Sequence, residues 1–300
     1  MTLRRNSVFV FFVMLVVLVL SSPGLDAAPG DMKPPRWELG IGFGFCIPLT
    51  NNNTYNNTFT PAFQYSEPDD YVATSSQVLN LMQKKSIGQM VIVNRLIAKK
   101  TYLQLLAVYQ KRNIYGNNQS YHTFLEYTAY PYPNFVPTLV TREEDFPWSD
   151  SEGTLSQYAI GINIMKRVSL GYGVTVDFSG GPGLFHYKGE VSKLGYNFYT
   201  FSHYILVSFP AGFQFTFKSP LKVGLNFGCE LNVPVLHRLK FFVGGRCFYC
   251  PRSGVDIHLV DSDDYYFPAA VEEVEAIMNL QPLKINTSYF SLGGGFRWEF

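Results

Sequence analysis

The sequence predicts an all-β fold: an eight-stranded antiparallel transmembrane β-barrel with long extracellular loops. Three observations carry this. The final stretch alternates, with Phe290, Leu292, Gly294, Phe296, Trp298 and Phe300 on one face and Tyr289, Ser291, Gly293, Gly295, Arg297 and Glu299 on the other. Strand side chains point alternately to two faces, so one face here is greasy and the other small or charged. In a soluble sandwich the greasy face would meet a second sheet; in a membrane barrel it meets lipid while the polar face lines the interior. The front of the chain reads as an export leader. The composition is 47% hydrophobic and 16% aromatic but only 16% charged, where a typical soluble domain has about 25% charged residues.

The leader opens with Arg4 and Arg5, runs through the apolar stretch Val8 to Leu20, and ends in small residues at Ala27 and Ala28. This predicts a signal peptide over 1–27, a flexible mature N-terminus over 28–35 and the barrel over 36–300. The apolar run is shorter than the roughly 20 residues of a membrane helix, which disfavours a retained anchor. No cysteine lies near the cleavage region to take a lipid. With Arg4, Arg5 and Asp26 set aside, acidic and basic side chains balance, which gives no support for a nucleic-acid partner.

The elements follow in order. Strand one, Arg36 to Leu49, is the clearest alternation: Trp37, Leu39, Ile41, Phe43, Phe45 and Ile47 outward, Glu38, Gly40, Gly42, Gly44 and Cys46 inward. The inward glycines suit a narrow barrel. Residues 50 to 85, rich in Asn, Pro and Asp, read as a long loop. Strands two (Ile87 to Ile97) and three (Thr101 to Arg112) flank a short turn at Ala98-Lys99-Lys100. Residues 113 to 153 read as a second long loop. Strand four, Leu155 to Met165, directs Ile160, Ile162 and Ile164 outward. A turn near Lys166-Arg167 leads to strand five, with Val174, Val176 and Phe178 outward and Thr175, Asp177 and Ser179 inward. Strand six spans Phe198 to Phe217, with His203, Phe209, Phe213, Phe215 and Phe217 on one face. After a turn at Lys218-Ser219-Pro220, strand seven directs Leu225, Phe227 and Leu231 outward and Asn226, Glu230 and Asn232 inward. An excursion from Leu236 to Leu283 holds a short helix, in which Val271, Val274, Ile277 and Met278 recur at helical spacing. Strand eight closes the chain. Short and long links alternate, as turns and loops do in membrane barrels. Ten strands are the alternative, because Leu239 to Tyr249 could add a strand.

These features together resemble the small Gram-negative outer-membrane β-barrel proteins, the superfamily of the outer-membrane protein A transmembrane domain and the opacity porins. The C-terminal aromatics Phe296, Trp298 and Phe300 match that family's signal for the barrel-assembly machinery. The resemblance implies outer-membrane lipid, the assembly machinery and periplasmic chaperones as partners, and the cell outer membrane as the location. It leaves function open.

The inward charges are the candidate site. Glu38 and Arg297, on the first and last strands, predict a lumen ion pair with Glu299 nearby; Asp177 and Glu230 add polarity higher up. Eight strands leave an interior that side chains fill, so a plugged lumen is expected, with a narrow transport barrel for small or hydrophobic solutes as the alternative. A lipid-modifying enzyme is the second alternative, but no Ser-His-acid set converges around Ser202, His203 or Ser208, and His186 and His258 read as solvated. The expectation is therefore no catalysis, with the long loops serving a structural or surface-binding role. Gly180 to Gly189 lacks the ending of a phosphate loop, so no cofactor is expected. The acidic runs Glu143-Glu144-Asp145 and Asp261 to Asp264 lack calcium-loop spacing, so no metal is expected. Cys247 and Cys250 read as a local disulfide, with two free thiols as the alternative.

Overall fold

The computed structural model describes residues 37–50, 52–61, 70–131, 135–147, 150–202, 205–262 and 271–300. The expected signal peptide and flexible segment, and His203, lie outside these residues.

The chain is an antiparallel β-structure whose strands lie end to end in long columns. β1 (Trp37–Pro48) is continued by β2 (Asn52–Phe59), and β4 (Ser86–Ala98) is preceded by β3 (Tyr71–Gln83). β5 (Thr101–Ala129) spans both heights alone. It pairs with β4 through its first half and with β3 through its second. On its other edge it pairs with β7 (Ser151–Gly171) below and β6 (Thr138–Pro147) above. β8 (Val174–Ser202) is equally long. It pairs with β7 on one side and, on the other, with β10 (Lys222–Leu236) below and β9 (Ile205–Lys218) above. β10 pairs with β11 (Leu239–Tyr249), and β13 (Ile257–Ser262) pairs with β9 above it. β15 (Tyr289–Glu299) pairs with β11 on one side and with β1 on the other, where the succession began. A small second sheet joins β12 (Ser253–Val255) to β14 (Leu283–Ile285), and α1 (Val271–Met278) packs Val274 and Met278 into the core.

Several expectations are corrected. The expected loops at 50–85 and 113–153 contain β2, β3, β6 and the upper part of β5. In β2 the outer face is polar and the inner face mixes amides with aromatics (Asn53, Tyr55, Asn57 and Phe59 buried; Thr54, Asn56 and Thr58 exposed), so this Asn-rich segment that reads as loop is a strand standing clear of the greasy zone. The turn expected near Lys166-Arg167 lies at Gly171-Tyr172-Gly173. There φ is +103° at Gly171 and +78° at Gly173, values glycine adopts without strain. Expected strand six divides into the end of β8 and β9. Ser219-Pro220 is no turn but a break between two strands in one column: Ser219 N–H donates to Tyr187 O at 2.8 Å, and Ser219 Oγ accepts from Tyr187 N–H at 2.8 Å. The excursion after Leu236 contains β11, the strand foreseen in the ten-strand alternative.

Two zones result. Around the lower zone, which holds the short turns, the outer face is apolar: Phe43 (58% exposed), Ile162, Ile164, Phe178, Phe227, Val243 and Phe296 all stand bare. Exposed apolar surface on this scale marks contact with lipid or another apolar body. The interior of the same zone is polar. In the upper zone the pattern reverts to a greasy core. The β8–β9 end leans inward, so Tyr196, Asn197, Phe198 and Tyr199 are all buried, and Tyr196 stacks on Phe59 with ring centres 5.8 Å apart.

Candidate functional site

The site is the polar interior of the lower zone, built in layers. In the lowest, strand register brings Glu38 of β1, Arg167 of β7, Asp177 of β8 and Arg297 of β15 to the inner face at one height. Arg167 grips Glu38 with Nη1 (2.5 Å to Oε1) and Nη2 (2.9 Å to Oε2), and grips Asp177 with Nε (2.7 Å) and Nη2 (2.8 Å). Arg297 Nη1 donates to Asp177 Oδ2 at 2.6 Å, and Nη2 donates to Glu230 Oε2 at 2.6 Å. Arg246 closes the series, donating to Glu230 Oε1 at 2.9 Å. The order Glu38–Arg167–Asp177–Arg297–Glu230–Arg246 alternates in sign along its length. Removing such charges from water costs several kcal/mol per ion, and only this density of paired, charge-assisted bonds offsets it.

Amides complete the shell. Asn94 donates to Glu38 at 2.9 Å, Arg297 to Asn232 at 2.8 Å, and Arg246 to Asn226 at 2.9 Å and Gln104 at 3.0 Å. Aromatic faces cover what remains: Arg167 lies 4.5 Å over the Tyr102 ring and Arg297 5.2 Å over Phe242. Above stands Arg112, buried and without a carboxylate partner among the described residues. It donates to Gln83 Oε1 and Gln157 Oε1, each at 2.8 Å, and lies 5.4 Å over Tyr289.

The inward glycines now have a local cause. A Cβ on Gly42 would meet the Phe242 ring at 2.8 Å. The bare backbone of β1 is the floor on which that ring lies, and the ring in turn supports Arg297.

The expected residues are placed as follows. Glu38 and Arg297 come within 3.8 Å, but each has a closer partner, Arg167 and Asp177. Glu299 stands apart at the rim, paired with Lys240 at 2.8 Å. Asp177 and Glu230 are in the network. Phe296, Trp298 and Phe300 face outward, 54%, 47% and 61% exposed. Cys247 and Cys250 carry free thiols, which corrects the expected disulfide: three residues apart along an extended chain they point to opposite faces. His258 is exposed, as expected, and is bonded to Glu275 at 3.0 Å.

Three arginines were missed. Arg167 falls at the expected turn, yet continuing the Ile160, Ile162, Ile164 alternation through Val168 puts it inside. Arg246 lay in an expected excursion, yet Phe241, Val243, Cys247 and Tyr249 alternate around it. Arg112 was only the nominal end of a strand.

No protein-family model matches the chain, and no curated protein matches it in sequence. Among solved structures it is similar to the outer membrane protein OprG from Pseudomonas aeruginosa, at 9% identity and a TM-score of 0.38, covering 89% of this chain and 97% of that one. It is also similar to the outer membrane protease OmpT from Escherichia coli, at 9% identity and a TM-score of 0.33, covering 90% of this chain and 99% of that one. A third is the β domain of the Bordetella autotransporter BrkA, at 9% identity and a TM-score of 0.16, covering 89% and 100%. The presence of a protease among them corrects the expectation that this chain is no enzyme: the fold gives no ground for excluding catalysis. These three similar structures are outer-membrane β-barrel proteins.

Proposed function

We propose that this chain is an integral outer-membrane protein whose eight strand columns close into a barrel. Its lower interior is plugged by the arginine–carboxylate network, and its upper strands, with the β8–β9 end, form a surface-binding scaffold outside the membrane. The observation that carries this is the inversion between neighbouring residues of one strand: Arg297 is fully buried, while Phe296 and Trp298 beside it are bare. A soluble protein would reverse that pattern; a barrel in lipid requires it. The return of the ladders from β15 to β1 supports closure, since closing a sheet removes its unpaired edges. In this reading residues 1–27 are a signal peptide that is cleaved, and Phe296, Trp298 and Phe300 are read by the assembly machinery after escort by periplasmic chaperones.

The test is folding of the chain into detergent or lipid vesicles. The expected result is a strand-dominated circular dichroism spectrum and a band on a denaturing gel that migrates differently before and after boiling. A boiled and an unboiled band that coincide, together with full solubility in buffer without detergent, would overturn the reading.

A further inference from the structure

We propose that the outer face of β5, β7, β8 and β9 carries a binding site for the phosphate-bearing headgroup of a lipid in the membrane's outer leaflet. This rests on the proposed membrane orientation. The strand register stacks outward side chains in rungs that change character with height. Ala107, Ile160, Leu184 and Val223 form an apolar rung. One rung higher stand Tyr109, Tyr158 and His186, with Tyr109 and Tyr158 ring centres 4.9 Å apart and Tyr158 stacked on His186 at 6.4 Å. The next rung is Lys111, Ser156, Lys188 and Lys218, register partners in succession across four strands. All three lysines are exposed.

Successive rungs on one face are about 7 Å apart, two residues along a strand. The lysine Cα atoms therefore stand about 14 Å along the strands from the apolar rung, with an amphipathic aromatic rung between. That order matches the passage from acyl chain to interface to headgroup, where aromatic girdles sit. Acyl chains on the lower rungs and an anion on the upper one would be parts of a single molecule, which favours a lipid over a free anion.

The lysine rung also needs an anion. Lys188 and Lys218 are direct cross-strand partners, an arrangement that like charges make unfavourable. Among the described residues none of the three lysines has a carboxylate in ion-pair range. The carboxylate on the next rung, Glu190, accepts the Thr154 hydroxyl at 3.0 Å. Beside the pair lies a groove of about 290 Å³, lined by Lys188, Lys218, Ser156, Thr216, His258 and Glu190. Its hydroxyls and cations suit phosphate oxygens. On the neighbouring column Lys84 and Lys85 are held over the rings of Tyr115 (3.6 Å) and Phe45 (5.9 Å), extending the cationic girdle beyond the groove.

The experiment follows the folded, heat-modifiable band of the full chain in detergent. It records the temperature at which that band converts to the unfolded one, with added bisphosphorylated lipid A, with the same lipid dephosphorylated, or with inorganic phosphate. The expected result is a rise with the phosphorylated lipid alone. In Lys111→Gln/Lys188→Gln/Lys218→Gln the concentration giving half the rise should increase about tenfold or more, given what a lysine contributes at an anionic lipid surface. In Lys99→Gln/Lys100→Gln/Lys166→Gln, which removes the same charge at the opposite end, it should not change. Equal rises with phosphorylated and dephosphorylated lipid would overturn the proposal even if the triple variant failed to fold. So would a rise with inorganic phosphate equal to that with lipid, or equal weakening in both variants. Absence of any folded band would instead overturn the membrane reading on which the site rests.

Discussion

At the scale of single residues, Asp177 is the acid that joins the two ends of the series, shared by Arg167 and Arg297 as Glu230 is shared by Arg297 and Arg246. Both of its oxygens are occupied, by Arg167 and by Arg297. Asp177→Ala leaves two buried cations facing each other with two carboxylates between three arginines. Breaking a buried pair by removing one partner costs about 3–5 kcal/mol. Urea unfolding of the protein in lipid should show a loss of that order. Glu299→Ala removes the carboxylate from a pair at the rim, where Lys240 keeps some contact with water, and should cost about 1 kcal/mol or less. Equal effects of the two variants would show that the inner charges are more hydrated than their burial indicates.

At the scale of elements, two contacts fix how the strands assemble. The first is the β1–β15 ladder. A Cβ on Gly295 would collide with the carbonyl oxygen of Ile41 and the Cα of Gly42, backbone atoms that cannot turn aside. Gly295→Val should therefore abolish the heat-modifiable band, whereas Leu292→Ala, which only removes atoms from an outward side chain 50% exposed, should keep it. The second is the seat of the β8–β9 end. Gln119 donates to Lys193 O at 2.7 Å and Ser151 Oγ at 2.9 Å, and accepts from Gly195 N–H at 2.9 Å. Gln119→Ala leaves the buried Gly195 N–H unpaired, at about 1–3 kcal/mol, while Ser151 Oγ still donates to Lys193 O at 3.2 Å. The expected outcome is faster proteolytic nicking in β8–β9 with the lower zone still intact on the gel. The same two contacts mark what could be read from the sequence. The β1 and β15 alternation was legible because lipid-facing residues are large and apolar while their neighbours are Gly or charged. β2 was not, because there both sides of the alternation are polar or aromatic: Asn53 and Asn57 are buried while Thr54 and Asn56 are exposed. Period two in hydrophobicity vanishes when the outer solvent is water and the buried face includes amides. The lumen acids were visible as charges inside greasy strands. Their arginine partners were lost where a strand was ended too early, at Met165 for Arg167, or where a whole strand, β11, was read as part of an excursion, as for Arg246.

At the scale of the whole molecule, the question is whether the interior conducts. Its filling is layered: the paired charges from Glu38 to Arg246, then Arg112 among glutamines, then the aromatic packing around Tyr196. Each layer spans the interior through side chains from facing strands, as in Arg167 of β7 reaching Glu38 of β1. A water-filled path would have to break charge-assisted bonds in the first layer and open a hydrophobic one in the last. Planar-bilayer recordings of the inserted protein should accordingly show no steady single-channel steps. Arg112→Ser sharpens the test. Arg112 has no carboxylate to orphan, so its removal costs the bonds to Gln83 and Gln157 and the contact with the Tyr289 ring and leaves a polar gap that water can fill. If the layers act independently, this variant folds, gains internal water and still passes no steady current, because the paired charges below remain closed. If instead it conducts, the lower network was never the barrier, and Arg112 with its glutamines is the constriction of a narrow transport barrel.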